Sequence, residues 1–566
     1  MKRAEKVRIG DLLVSEKLVS ADQLRLSLEI QKRSGKRLGR VLVEQGFVGE
    51  EQLAEVLARQ LAAPFINLKF YNLSTGLVRR LPEAHARRHR AILLEDRKAR
   101  FLVGMADPTD LFAQDELARI LKRDVDVAVV VESALVHTID RVYRRTEEIA
   151  GLTRELEKDF GDSAIDFGAL SASLGAEEAP VVKLLQKLFE DATQVGASDV
   201  HIEPQEGRVQ VRFRIDGDLL PQTEADRRIG PALVQRVKLT AGLDISERRL
   251  PQDGRFSVMV RGQPVDVRIS TMPTQYGESV VLRILNQRSG LLGLEHLGMP
   301  EAMLARFRQV IRKTNTMVLV TGPTGSGKTT TLYAALAEVN TSDKKIITVE
   351  DPVEYRLPGI NQVQVNEKIE LSFARVLRSA LRQDPDILLV GEIRDEETAQ
   401  IGLRAALTGH FVLSTLHARD AASTPVRLID MGAPGYMVAS SLQAVVAQRL
   451  VRVICESCAE PRPASAQEAH WARHVLGERG DAVFHAGRGC SHCNGTGFQG
   501  RTGVYEMLEM SSELVRAVQR DDPTVFVRAA LEQMRGRTLA NHAAELALAR
   551  RTTIAEAVKV ASAQED

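Results

Sequence analysis

The tightest grouping of residues able to do chemistry is Gly322-Pro323-Thr324-Gly325-Ser326-Gly327-Lys328-Thr329-Thr330. Glycines, hydroxyls and a lysine so close together make a poor core, but they are what a bound polyphosphate requires. Gly322, Gly325 and Gly327 open backbone angles closed to other residues, so successive N–H groups can point inward at an anion. Lys328 adds a full positive charge, and Thr329 offers a hydroxyl suited to Mg²⁺. Residues 317–320 before the turn read as a strand, and a helix is expected from about Thr329, its N-terminus favouring the same anion. Strand, G-x-x-x-x-G-K-[ST] turn and helix together have the form of a P-loop. The expected ligands are ATP and Mg²⁺.

Three further groups of polar residues follow apolar runs. Residues 346–355, IITVEDPVEY, end in Glu350, Asp351 and Glu354. A strand that delivers carboxylates at its C-terminal end beside a P-loop strand can place one to orient an attacking water, the role expected of Glu354. In residues 384–395, DPDILLVGEIRD, the strand at 387–390 leads through Gly391 to Glu392, which is expected to reach Mg²⁺. In residues 408–420, TGHFVLSTLHARD, His410 and His417 bracket another strand, and His417 is expected to sense the γ-phosphate by hydrogen bond.

The four cysteines form two C-x-x-C pairs, Cys455/Cys458 and Cys490/Cys493, separated by a loop of 31 residues. Four thiolates suit tetrahedral Zn²⁺, and Gly489 and Gly495 help turn the second knuckle. With all four positions filled, the module is expected to be structural. His485 and His492 are not expected as ligands.

The elements that must position these groups need several domains, since 566 residues with 44% hydrophobic content can build three or four cores. Net charge is +1, from 76 basic and 75 acidic residues, which argues against a chain whose main task is holding nucleic acid. No apolar run approaches the ~20 residues of a membrane span, and the start MKRAEKVRIG lacks a signal-peptide core, so a cytoplasmic location is expected.

Residues 1–145 carry an internal duplication offset by 29 residues. Arg8, Gly10, Leu13, Val19, Leu24 and Gln31 fall on Arg37, Gly39, Leu42, Val48, Leu53 and Gln60, with a short and a longer helix expected in each copy. One departure stands out: Gly46 of the second copy is Lys17 in the first. The bland reading is a helical docking module. The doubled unit resembles the cyclic-di-GMP-binding N-terminal domain of the MSHA-pilus assembly ATPases, and a two-fold ligand suits two copies of a half-site. Arginine would meet phosphate or guanine, glycine would allow close approach, leucine would meet the base face and glutamine its polar edge. Strands at 99–105 and 125–131 and helices at 111–121 and 132–143 complete this region.

Residues 146–179 read as a flexible connection, with a helix near 152–160. Residues 180–290 open on an amphipathic helix and continue into alternating strands at 209–215, 256–260 and 265–270, an α+β pattern. The motifs ASDVHIEP (197–204) and RRLPQDGR (248–255) resemble the middle domain of type II secretion and type IV pilus assembly ATPases. Arg255, Arg268 and Arg283 follow as candidates, because a phosphoryl group in transfer gains from guanidinium charge.

The P-loop, EDPVE, DILLVGE and TGH…STLH boxes, in that order, resemble the Walker A, Asp box, Walker B and His box of the same ATPases. The resemblance implies a multidomain α/β protein: a RecA-like P-loop core over 291–566, a PAS-like α+β middle domain and a helical-repeat N-terminal domain. It implies a homo-hexamer on the cytoplasmic face of the inner membrane, membrane-associated through a platform protein, whose ATP hydrolysis powers type IV (MSHA-like) pilus assembly or type II secretion. Arg268 and Arg283 would stabilise the transferring charge. Alternatives are a pilus retraction motor, whose relatives lack the long N-terminal region and tetracysteine module, a nucleic-acid translocase, and a nucleotide-gated scaffold.

Overall fold

The computed structural model describes residues 9–34, 36, 38–143, 149, 180–260, 262–285, 292–519 and 522–562. Arg8, Arg37, nearly all of the expected linker at 146–179 and its helix at 152–160 lie outside the described residues.

The duplication folds into helices Ile9–Ser15, Ala21–Ser34, Leu38–Glu44 and Glu50–Leu61. Equivalent positions of the two copies meet in one core, Leu13 with Leu42 and Val19 with Val48. Gly10 and Gly39 are helical, and a Cβ on either would stand 2.9 Å from a methyl of Leu24 or Leu53 respectively. Their repetition therefore has a packing cause, where the sequence suggested a ligand-approach cause alone. Lys17 and Gly46 both take left-handed backbone, φ 60° and 69°, so the departure in the first copy leaves the turn intact.

Beyond the repeat, β1 (Ala91–Asp96), β2 (Phe101–Met105) and β3 (Val125–Val129) form a small sheet in that order, covered by helices Leu111–Leu121 and Glu132–Val142. The sequence reading had no strand at β1, whose run AIL is as compatible with a helix as with a strand.

The middle domain is an antiparallel sheet of β4 (Asp199–Pro204), β5 (Arg208–Ile215), β6 (Asp218–Asp226), β7 (Gln252–Val260), β8 (Gln263–Thr274) and β9 (Gly277–Leu285). Its order is β6-β5-β4-β9-β8-β7. The alternation in β5 buries Val209, Val211 and Phe213 with helices Pro180–Gln194 and Ile229–Thr240 in one core. Register places Arg255 opposite Arg268, and Arg268 opposite Arg283. The three candidate arginines thus form one row across β7, β8 and β9.

The C-terminal domain centres on β10 (Thr316–Thr321), β11 (Ile346–Glu350), β12 (Asn361–Gln364), β13 (Ile387–Val390), β14 (Phe411–Leu416) and β15 (Leu442–Ile454). A short pair, β16 (Ala459–Arg462) with β17 (Phe484–Gly487), precedes β18 (Phe498–Glu509). The main sheet runs β12-β11-β13-β14-β10-β15-β18, parallel except for β18. β11, β13 and β14 are buried along their whole length because apolar clusters cover both faces of the sheet. Their C-terminal ends therefore share one edge, where loops can gather ligands.

Candidate nucleotide cleft and tetracysteine module

β10 runs straight into Gly322, and the helix Lys328–Val339 leaves the far side of the loop. Gly325 and Gly327 have φ 76° and 87°, which suits glycine, and a Cβ on Gly322 would stand 2.4 Å from the Gln448 carbonyl. Gln448, buried in β15, clamps the loop from behind. Its Nε2 donates to the Ser326 carbonyl at 2.6 Å, and its Oε1 accepts from Thr331 Oγ1 at 2.8 Å. Pro323 and Thr324 are exposed, whereas Lys328, Thr329 and Thr330 are half-buried and line a cleft of about 680 Å³. Lys328 Nζ donates to the carbonyls of Gly322 and Pro323 at 2.9 and 3.0 Å. Burial lowers its pKa, and the charge of Glu392 works against that.

The ends of β11, β13 and β14 bring Glu350, Glu354, Glu392 and His417 to the same cleft. Their surroundings separate their roles. Glu350 is buried and saturated: it accepts from Tyr333 Oη, from Thr348 Oγ1 at 2.5 Å and from Gln362 Nε2 at 3.2 Å. Such a carboxylate braces the wall and has little capacity left for a water. Glu392 stands between a guanidinium and an imidazole, accepting from Arg394 Nη2 at 2.5 Å with His417 Nε2 3.7 Å from its other oxygen. Burial and the nearby Lys328 charge lower the pKa of His417, favouring the neutral ring. His410 sits at the opposite end of β14, its Nδ1 2.9 Å from the Ala405 carbonyl, away from the cleft.

The arginine row faces this edge. Arg268 pairs with Glu354 at 2.8 Å and donates to the Val353 carbonyl at 3.2 Å. In this arrangement the guanidinium does not line the phosphate cleft, as its expected charge-stabilising role would require. It holds the candidate water-orienting carboxylate of its own chain. Arg283 does line the cleft, 59% exposed and paired with Asp199 at 2.9 Å. Among the described residues, Arg255 reaches Gln364, at 3.5 Å. The sequence reading did not single out Arg394, Tyr333 or Gln448. Arg394 was within reach, two residues past Glu392 in the same box, but the other two depend on which helix and strand flank the loop.

A family model described as Type II/IV secretion system protein matches residues 175–559. The chain belongs to this family. The type IV pilus assembly ATPase PilB of Myxococcus xanthus (strain DK1622) is 41% identical over 514 residues, spanning 88% of this chain and 89% of that protein. The type II secretion system protein E of Xanthomonas campestris pv. campestris is 38% identical over 565 residues, 99% of each. Among solved structures, the Legionella pneumophila ATPase DotB covers 67% of this chain and 95% of its own, with a TM-score of 0.51 at 21% identity, a likeness of fold. Secretion and pilus ATPases are thus the relatives of this type II/IV secretion system protein.

A second model, the MshEN domain, matches residues 61–149. The candidate residues Gly10, Gln31, Gly39 and Gln60 precede that match. Gln31 is half-buried and Gln60 exposed.

The four cysteines converge at the β15–β18 end of the family's core domain, all buried. The Sγ separations Cys455–Cys490, Cys458–Cys493 and Cys490–Cys493 are each 3.8 Å. A disulfide needs about 2.05 Å. Thiolates about 2.3 Å from a tetrahedral ion stand about 3.8 Å apart, so the donor set fits Zn²⁺. Backbone N–H groups of Cys490 and Gly497 donate to Cys493 Sγ at 3.2 and 3.1 Å, which favours its thiolate. His492 points away, its Nε2 3.1 Å from the Tyr71 carbonyl of the N-terminal domain. Among the described residues, no helix is long and apolar enough to cross a membrane.

Proposed function

We propose that this chain is a Mg²⁺-dependent ATPase motor driving type IV (MSHA-like) pilus assembly or type II protein secretion. One observation carries the reading: the P-loop, Glu354, Glu392 and His417 share a cleft that Arg283 of the middle domain also lines. The loop amides and Lys328 hold the phosphates. Bound Mg²⁺ would neutralise charge on the β- and γ-phosphates, with Thr329 and Glu392 as its protein contacts. Glu354 orients the attacking water, held in place by Arg268. Arg283 supplies charge to the phosphoryl group, and His417, neutral and beside Glu392, donates its ring N–H to the γ-phosphate.

The working assembly is a homo-hexamer at the cytoplasmic face of the inner membrane, engaging a platform protein. Zn²⁺ occupies the tetracysteine module as a structural ion. The duplicated N-terminal unit is a cyclic-di-GMP site that regulates the motor, a reading supported by the repetition of glutamine as well as of core leucines.

Steady-state ATP turnover tests the motor reading. Lys328→Ala and Glu354→Ala are expected to remove most turnover while nucleotide binding survives in Glu354→Ala. Near-normal hydrolysis in Glu354→Ala would move the water-orienting role to Glu392, since Glu350 is saturated. Calorimetric titration of the full chain with cyclic-di-GMP tests the regulatory reading, with Gln60→Ala expected to weaken binding.

A further inference from the structure

We propose that His85, His89 and Glu116 form a second metal site in the N-terminal domain, suited to a divalent transition ion such as Zn²⁺. The two histidines are four residues apart at the helix Glu83–Arg88, His89 being its C-cap, so both imidazoles lie on one face. Their rings are parallel, with an interplanar angle of 1° and centroids 6.1 Å apart. Glu116 reaches them from the facing helix Leu111–Leu121. One ligand atom from each of the three residues lies within 4.8 Å of the others.

The polar atoms involved are buried and lack hydrogen-bond partners: His85 Nδ1, His89 Nε2 and Glu116 Oε2. The His89 side chain is only 6% exposed, and its Nε2 stands 3.3 Å from Glu116 Oε2. Leaving three such atoms unsatisfied is costly. A proton shared between His89 and Glu116 would satisfy two of them and still strand His85 Nδ1. A divalent ion takes a lone pair from all three. Glu116 Oε1 is 3.9 Å from Arg88 Nη1, an outer partner that leaves the other oxygen to face the histidines.

Ligand type sets the metal. Two imidazoles and one carboxylate suit Zn²⁺, Co²⁺ or Ni²⁺ and are harder than the four thiolates of the tetracysteine module. Three protein ligands leave a fourth position for water, unlike the filled cysteine site. The helix Glu83–Arg88 packs on helix Glu132–Val142, which touches the knuckle at Ser491–Cys493. A metal at His85, His89 and Glu116 would therefore brace the domain next to its contact with the core.

The test uses the full chain, stripped of metal, reloaded with Zn²⁺ and freed of excess by gel filtration. Elemental analysis is expected to find two zinc ions per wild-type chain and one in His89→Ala and Glu116→Gln. One ion per wild-type chain, or equal counts in wild type and both variants, would overturn the proposal. Titration of wild type with Co²⁺ gives an independent reading. Two phases are expected, one with thiolate-to-metal charge transfer and one with only ligand-field bands. The second phase should vanish in His89→Ala while the thiolate band persists, and far-UV circular dichroism unchanged from wild type reports that the variant is folded. Cobalt absorbance of thiolate type alone in wild type would refute the site.

Discussion

The P-loop and the N-terminal duplication are both marked in the sequence by glycines, and the structure gives those glycines opposite causes. Gly327 has φ 87° and frames a loop that lines the cleft. Gly39 lies in a helix and gives its space to Leu53. One glycine exposes backbone to chemistry, and the other lets two helices close. Spacing alone therefore distinguishes a chemical glycine from a packing one only when neighbouring residues, here Lys328 and Thr329, carry the chemistry.

Substitution should separate the two kinds sharply. Gly322→Ala places a methyl against the Gln448 carbonyl and is expected to lower ATP turnover at least ~100-fold, read by steady-state hydrolysis and nucleotide binding. Gly39→Ala meets only a flexible leucine methyl, so it should cost about 1–3 kcal/mol in the helical module, read as a shifted unfolding transition.

The arginine row extends the contrast between paired and catalytic charge. Arg268→Ala releases Glu354 and should reduce turnover by about 10–100-fold. Arg255→Ala breaks only a 3.5 Å contact to Gln364 and should change it by less than about twofold. Equal losses in the two variants would mean that the row acts as one field and not through the Arg268–Glu354 pair.

Two buried carboxylates near the end of β15 and in β18 provide a pH test. Burial works to raise the pKa of Glu556, but hydrogen bonds from Arg452 and Lys559 hold it at about 2. Its stabilisation is present above the ordinary value of 4.5 and is lost as pH falls toward 2, up to about 3 kcal/mol. Glu506 is pushed up to about 6 by burial, against hydrogen bonds from Ala421 and Leu539. Stability should therefore fall as pH rises from 4.5 to 6, and Glu506→Gln should remove that decline in urea unfolding. A modest effect on stability is expected in the repeat. Lys17→Gly relieves a left-handed backbone and should stabilise the module by up to about 1 kcal/mol.

The central strands were legible because a parallel sheet buried on both faces needs unbroken apolar runs, and residues 387–390 offer nothing else. Helices such as Leu111–Leu121 were legible from period and caps, Asp110 accepting from the Ala113 N–H. β1 was not, since a short run of small and branched apolar residues suits either state until a neighbour pairs with it.

By itself, the sequence marked the P-loop pattern, the carboxylate and histidine boxes and the two cysteine pairs, because each is a short pattern whose chemistry needs adjacent residues. Tertiary structure alone decided that Glu350 is a brace, that Arg268 holds Glu354, and that His85 and His89 meet Glu116. Those assignments depend on atoms brought together from different elements, and hydrogen-bond capacity is used up in space, by neighbours that are remote in the chain.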